Sequence, residues 1–313
     1  MPYQVPNETY SGKIEEITIG VGDKAITIGG QTTLAFYDFE GEIPHRPVVA
    51  MEVYDNNPQE WVETLKEPLG DVLGDPVAWA KRCQDDYHAE AICLQLAGTD
   101  PNGDNHSPDE AAATVKAVLD AIELPLIVFG CGNAEKDKAV MEKVAAVAAG
   151  KNILLGPAVE ENYKTIAAAA MGFNHNVIAQ SPCDVNLSKQ LNILLTQMGL
   201  PKNRIVIDPS TGALGYGMDY TYTIMERLKI AALQQGDEMT RMPIISVLGP
   251  EVWKTKESRV SVAEEPTWGD LGKRAISWEI MTATAMAVAG ADMLVMRHPQ
   301  AVEGYRKAVV ALA

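Results

Sequence analysis

RIVIDPSTGALGYG, residues 204–217, is the stretch that decides the fold. A short β-branched run at 205–207 leads into the carboxylate of Asp208, and Pro209 then stops the strand at once. An apolar run bounded by turn residues indicates a buried strand. The glycines that follow allow backbone N–H groups to approach a ligand closely. The stretch therefore predicts a ligand-facing loop at the mouth of an α/β fold; the simpler alternative is an ordinary βα connection in which Asp208 bonds its own turn.

The composition is that of a globular, acidic protein. The chain has 313 residues, 47% of them hydrophobic, and a formal net charge of −16. That charge argues against binding to nucleic acid or to an anionic membrane, because phosphate groups would be repelled. The most apolar tract, residues 275–296, is interrupted by Glu279 and Asp292, so it does not predict a membrane span. The first residues show no apolar signal segment, and we therefore expect a cytoplasmic protein.

The cysteines and histidines give no metal-binding pattern. The four cysteines are scattered without a CxxC pair, which indicates neither a disulfide framework nor an iron–sulfur cluster site. The five histidines form neither HxH nor HExxH. We therefore expect no metal ligand set in this chain, and we expect any iron–sulfur cluster to belong to a partner.

Eight strand-like apolar runs recur along the chain. They lie at 48–53, 91–96, 125–129, 153–155, 176–180, 204–208, 243–247 and 292–296. A helical segment separates each pair, and Asp75, Ser107 and Ser181 each precede a proline as a helix N-cap would. Eight β-then-α units predict a single (β/α)8 TIM barrel, with a doubly wound open sheet as the alternative.

The first part of the chain lies outside these eight units. Residues 14–30 alternate between apolar and polar positions around a Gly22-Asp23 turn, which predicts a β-hairpin. We therefore divide the chain into an N-terminal extension with a β-hairpin, residues 1–47, and the barrel, residues 48–313.

In such a barrel the ligand side is the C-terminal end of the strands. The strand ends here are rich in glycine, amides and hydroxyls, and poor in bases and nucleophiles. Such a set predicts a large, flat, amide-bearing ligand rather than acid–base chemistry, and we assign no catalytic residue; the carboxylate of Asp208 would also suit a pterin-like ring. The candidate cofactor-binding residues are Gly130, Cys131, Gly132, Asn133, Gln180, Ser181, Asp208, Ser210, Thr211 and Gly212.

Two loops on the same side are long enough to carry function. Residues 54–75 contain Trp61, and residues 249–268 contain Trp253 and Trp268. These tryptophans either face a ligand or partner at the rim or pack onto the barrel helices.

Several segments together resemble a known family. They are IEEITIG (14–20), KAITIGG (24–30), AMEVYDNNPQEW (50–61), CLQLAGTDPNG (93–103), FGCGNAEKD (129–137) and VIDPSTGALGYG (206–217). With them the chain resembles, nearly end to end, the small (delta) subunit of the corrinoid iron–sulfur protein of the acetyl-CoA pathway. It is also similar to the delta subunit of archaeal acetyl-CoA decarbonylase/synthase.

The resemblance implies a heterodimeric methyl carrier of the Wood–Ljungdahl route of carbon fixation. The barrel would pair with a large subunit that holds the Fe–S cluster and a corrinoid (cobalamin), and its mouth would cap that corrinoid. A methyl group would arrive from methyltetrahydrofolate through a separate methyltransferase and leave to acetyl-CoA synthase. Two other hypotheses stay open: a pterin-dependent methyltransferase acting in its own barrel with Asp208 on the pterin, and a structural scaffold without cofactor contact.

Overall fold

The computed structural model describes residues 6–312, which contain ten β-strands and ten α-helices. The strands are β1 (Glu16–Ile19), β2 (Ile26–Gly29), β3 (Val48–Tyr54), β4 (Ala91–Gln95), β5 (Leu126–Phe129), β6 (Leu154–Ala158), β7 (Asn176–Gln180), β8 (Ile205–Asp208), β9 (Ile245–Val247) and β10 (Met293–Met296). The helices are α1 (Glu63–Leu69), α2 (Pro76–Asp85), α3 (Pro108–Ala121), α4 (Ala134–Val147), α5 (Tyr163–Phe173), α6 (Val185–Gln197), α7 (Met218–Leu233), α8 (Gly249–Trp253), α9 (Leu271–Ala289) and α10 (Pro299–Leu312).

Strands β3 to β10 form one closed parallel barrel. Each strand from β3 to β7 pairs with the strand that follows it in the chain, and β10 pairs with both β9 and β3. The ring closes between β8 and β9, where Ile207 donates its N–H to the carbonyl of Pro243 at 2.8 Å and forms a parallel bridge with Ile244. All eight sequence-predicted runs are strands of this barrel. The predicted (β/α)8 fold is therefore confirmed, and the open-sheet alternative is wrong.

The strands are buried on both faces, as their continuous apolar runs predicted. The outward-facing side chains pack against the surrounding helices, and the inward-facing ones fill the barrel interior. Two of the predicted helix starts are correct: Asp75 accepts from the N–H groups of Val77 and Ala78, and Ser107 forms a capping box with Glu110.

The third predicted helix start is wrong. Helix α6 is capped by Asp184, which accepts from the N–H groups of Asn186 and Leu187. Ser181 instead continues the strand pairing, since its N–H donates to the carbonyl of Asp208 at 3.0 Å. Its hydroxyl is thereby left at the barrel mouth rather than at a helix start.

The predicted hairpin, β1 with β2, closes the floor of the barrel. Ile17, Ile19 and Ile28 are fully buried and belong to the same apolar cluster as the interior side chains of the strands. Asn176, at the start of β7, donates its amide to the carbonyl of Thr18 at 3.0 Å. With the N-terminal end covered, ligand access is left to the C-terminal mouth. The boundary between the extension and the barrel at residue 47 stays a prediction, and residues 1–5 lie outside the described part.

Candidate functional site

The barrel mouth holds an open cavity of about 410 Å³ built from the ends of the strands. Seven of the ten predicted residues line it: Gly130, Cys131, Gly132, Gln180, Asp208, Ser210 and Thr211. Ser181 lines an adjoining groove of about 580 Å³, which shares Gly132, Gln180 and Ser210 with the cavity. Asn133 and Gly212 line neither. Their side-chain and backbone groups serve the local fold instead.

Asp208 is the buried acid of the mouth, with 1% of its surface exposed. One carboxylate oxygen accepts from the amide Nε2 of Gln180 at 2.8 Å, and the other from the N–H of Ser210 at 2.9 Å. Burial outweighs these two hydrogen bonds and raises the pKa of Asp208 to about 6. The loop after it is tightly bent, because Ser210 has a φ of 60° and donates its hydroxyl to the carbonyl of Ser181 at 2.8 Å.

A second buried acid, Glu52, lies near the end of β3. It accepts from the amide Nε2 of Gln95 at 2.9 Å and forms an ion pair with the guanidinium of Arg297. That guanidinium lies 4.4 Å from the ring centre of Trp61 and donates to the hydroxyl of Tyr54 at 2.6 Å. Gln95 and Tyr54 line the cavity although neither was in the predicted set. Their signal in the sequence was their position at the ends of two consecutive strands.

The FGCGN segment after β5 is held by Asp137 of helix α4. The Asp137 carboxylate accepts from the N–H of Cys131 at 3.0 Å and the N–H of Gly132 at 3.1 Å. Asn133 caps the same helix by accepting from the N–H of Lys136 at 3.1 Å. The N–H groups of Cys131 and Gly132 and the amide oxygen of Asn133 therefore form hydrogen bonds within the protein. The sequence pattern did not show this.

The remaining predicted residues also bond within the protein. Thr211 shares a hydrogen bond of 2.7 Å with the hydroxyl of Ser246, and Gly212 donates its N–H to the hydroxyl of Thr221 at 3.0 Å. The hydroxyl of Ser181 is buried and has no hydrogen-bond partner among the described residues. A buried polar group without a partner is costly, and the residue that carries it lines the adjoining groove.

Two of the three rim tryptophans pack inside the protein. Trp61 and Trp253 are buried, and the indole N–H of Trp253 donates to Glu279 at 2.9 Å. Trp268 alone of the three is exposed. The most exposed aromatic side chains near the mouth are Tyr216, 88% exposed in the loop after β8, and Tyr220, 67% exposed in the first turn of α7.

The described residues hold neither a metal-ligand cluster nor a helix that could span a membrane. No group of three or more His, Cys, Asp or Glu side chains between residues 6 and 312 is placed to hold a metal ion. In the same part of the chain, no helix has the length and apolar character needed to cross a membrane.

These observations define a TIM-barrel protein with a closed floor and a polar, acid-backed binding cavity at its mouth. Solved structures share this fold. Dihydropteroate synthase from Xanthomonas albilineans aligns with a TM-score of 0.59 over 95% of this chain and 99% of its own, at 14% identity. Dihydropteroate synthase from Thermus thermophilus aligns with a TM-score of 0.56 over 94% and 98%, also at 14% identity.

The sequence comparisons identify the family. The family model described as CO dehydrogenase/acetyl-CoA synthase delta subunit matches residues 16–303. The delta subunit of the acetyl-CoA decarbonylase/synthase complex from Archaeoglobus fulgidus is 38% identical, covering 96% of this chain and 68% of the relative. The delta 1 subunit from Methanosarcina thermophila is 36% identical, covering 94% and 69%. The chain belongs to the delta-subunit family of CO dehydrogenase/acetyl-CoA synthase.

Proposed function

We propose that the chain is a non-catalytic, corrinoid-capping subunit of a methyl-carrier complex. A large corrinoid iron–sulfur subunit would hold the Fe–S cluster and share the corrinoid with this barrel. Methyltetrahydrofolate methyltransferase would supply the methyl group, and acetyl-CoA synthase would receive it. Family membership supports the proposal, and the observation that carries it is the open mouth cavity lined by glycine, amide and hydroxyl groups.

The residues of the mouth fit a corrinoid by their chemistry. A corrin ring is bordered by carboxamide side chains, which need both hydrogen-bond acceptors and donors. Gln95, Gln180 and Tyr54 present such groups in the cavity, and glycines near residue 130 leave clearance for a broad ring. The adjoining groove extends the same surface and is lined in part by Gln180, Ser181 and Ser210.

The contribution of the chain would be binding and shielding. When bound, a corrinoid supplies a cobalt centre that accepts and releases a methyl group. The mouth side chains would orient the ring through its carboxamides, and the barrel would keep water from one face of it. Because the groups that line the cavity are mostly small, amide or hydroxyl, we assign no metal ligand to this chain.

Corrinoid retention tests this function directly. The large subunit, loaded with corrinoid, is passed through gel filtration with and without this chain, and the corrinoid absorbance that stays with protein is measured. We expect the chain to increase retention, and we expect no iron in the chain purified alone, because its cysteines lack cluster spacing. Equal retention with and without the chain would leave only a scaffold role. Stoichiometric iron in the single chain would contradict the proposed division of cofactors.

The mouth is also where we place the large subunit. Exposed aromatic side chains are enriched at protein interfaces, and Tyr216 and Tyr220 provide them at this rim. Tyr216→Ala with Tyr220→Ala should weaken copurification of the large subunit, whereas Tyr37→Ala, an exposed tyrosine of the N-terminal extension, should not. If the double variant copurifies as well as the control does, the interface lies elsewhere.

One observation favours a second function, that of a pterin-dependent methyltransferase. Asp208 is a buried acid in the lining of a polar cavity, and such a carboxylate is suited to bind the N–H groups of a pterin. Mixing the isolated chain with methyltetrahydrofolate and free reduced cobalamin separates the two functions. Methyl transfer that is lost in Asp208→Asn would establish the enzyme, and the absence of transfer would favour the capping subunit.

A further inference from the structure

Two glutamines of the mouth have their amide groups held in one orientation. Gln95 ends β4 and donates its Nε2 to Glu52, while Gln180 ends β7 and donates its Nε2 to Asp208, at 2.9 and 2.8 Å. Both acids are almost completely buried, and Asp208 belongs to the lining of the cavity. A carboxylate accepts hydrogen bonds and donates none, so each amide nitrogen must face its acid. Each amide carbonyl oxygen is therefore turned toward the cavity.

These two carbonyl oxygens are available to a ligand. Neither accepts a hydrogen bond from a described residue, and neither is among the buried side-chain atoms that lack a partner. Each oxygen therefore keeps contact with the open cavity that its side chain lines. Glu52 is ion-paired with Arg297, and Asp208 is largely ionised above its pKa of about 6.

Other polar groups of the mouth also present oxygen lone pairs. Ser210 donates its hydroxyl hydrogen to the carbonyl of Ser181, so its oxygen is left as an acceptor. The backbone N–H groups of Cys131 and Gly132, two residues of the predicted set, donate to Asp137. The wall of the cavity is thus richer in acceptors than its residue types suggest.

Tyr54 supplies a donor beside one of these acceptors. Its hydroxyl oxygen accepts from Arg297, so its own hydrogen is free to point into the cavity. Burial raises the pKa of Tyr54, which keeps that hydrogen in place. Tyr54 pairs directly with Gln95 across β3 and β4. An O–H donor next to a carbonyl acceptor is the complement of a primary carboxamide, which offers C=O and N–H side by side.

The charges around the cavity also favour a neutral ligand edge over an anionic one. Its lining residues include Asp100, Asp208 and Glu251, and no Lys, Arg or His. Arg297 lies behind Tyr54 and is paired with Glu52. Glu251 is ion-paired with Lys254, whereas Asp100 and Asp208 have no cationic partner among the described residues. These two carboxylates would repel an anionic ligand edge.

We propose that the barrel mouth recognises ligands through their primary carboxamides and rejects the corresponding carboxylates. Gln95 and Gln180 would be the specificity-determining residues, and Glu52 and Asp208 would be positioning residues that orient them. The inference rests on the proposed function, because the ligand whose edge carries such carboxamides is the corrinoid ring.

The test compares two corrinoids on the complex of this chain with its large subunit, after removal of bound corrinoid. Cobinamide carries carboxamides around the ring, and cobyrinic acid carries carboxylates at those positions. Equilibrium dialysis at pH 7.5, read by corrinoid absorbance, should show cobinamide bound at least about tenfold more tightly. Equal binding, or tighter binding of the acid, would overturn the inference and leave the proposed function standing. Binding of neither would refute the corrinoid role itself.

Variants assign the selectivity to this chain rather than to the large subunit. Asp208→Asn frees Gln180 to turn its NH2 toward the cavity, and Gln180→Leu removes the acceptor. Each should reduce the preference for cobinamide about threefold or more. The matched control is Gln197→Leu, the same change at an exposed position at the end of α6. If both mouth variants keep the full preference, the mouth does not select the carboxamides; thermal melts show that each variant is folded.

Discussion

Replacement of Asp208 by asparagine should stabilise the protein at neutral pH. Burial raises the pKa of Asp208 from an ordinary 3.8 to about 6, which means that the folded state binds its proton more tightly than the unfolded state does. Stability is therefore lost as pH rises through the window between these two values, and the loss is complete above the higher one. A difference of about two pKa units corresponds to about 3 kcal/mol at pH 7.5.

Asparagine keeps the shape of the side chain but not the charge. Its amide carbonyl can still accept from the N–H of Ser210, and its NH2 can meet the carbonyl of a turned Gln180. A weaker hydrogen bond to a neutral acceptor costs about 1 kcal/mol, so the expected net gain is about 2 kcal/mol at pH 7.5. Most of this gain should disappear at pH 4.5, where Asp208 is already protonated in the folded state.

Urea unfolding followed by far-ultraviolet circular dichroism at pH 7.5 and pH 4.5 measures the effect. Asp38→Asn, at an exposed position, is the control and should show no such pH-dependent gain. A variant that is less stable at pH 7.5, or that gains equally at both pH values, would refute the reasoning. A gain would also indicate that the acid is retained for binding at a cost in stability.

Four further substitutions, one of them a control, test the packing of the described residues. Asp292 forms a buried ion pair of 2.6 Å with the ammonium of Lys229. Asp292→Ala leaves that ammonium without its partner and should cost about 3–5 kcal/mol in urea unfolding; a loss below about 1 kcal/mol would contradict the ion pair. Trp253→Ala should cost about 3–5 kcal/mol because its ring is buried, whereas Trp268→Ala should stay within about 0.5 kcal/mol, and equal effects would contradict these burials. Gly130→Ala would place its Cβ 2.5 Å from the carboxyl group of Asp137 and should cost about 1–3 kcal/mol; an unchanged thermal midpoint would contradict that crowding.

The strands were predictable because their signals are local. The run at 205–207 is apolar at every position and is stopped by Pro209, which is enough to place a buried strand without knowledge of its neighbours. Helix starts depend on the tertiary structure as well as on local sequence. A serine before a proline is a true helix cap at Ser107. At Ser181 the same pattern is not a cap, because Ser181 continues the strand pairing with Asp208.

The tryptophans show the limit of reasoning from loop length. Trp61 and Trp253 lie in long loops among charged residues, a pattern that favours either a rim or a packed position. Their burial depends on a guanidinium from the end of β10 and a carboxylate from α9, both distant in sequence. The exposed tyrosines at 216 and 220 are distinguished only by their lack of such neighbours in the fold.

The sequence by itself determined the number and order of the strands, the hairpin at the start, the position of the mouth residues and the family, because these follow from local periodicity and from segments that are read residue by residue. Only the tertiary structure decided which atoms of the mouth face a ligand. The direction of the Gln95 amide depends on Glu52, 43 residues away, and that of Gln180 on Asp208, 28 residues away. A hydrogen bond has a donor end and an acceptor end, and which end remains free is decided by the partner that the fold brings beside it.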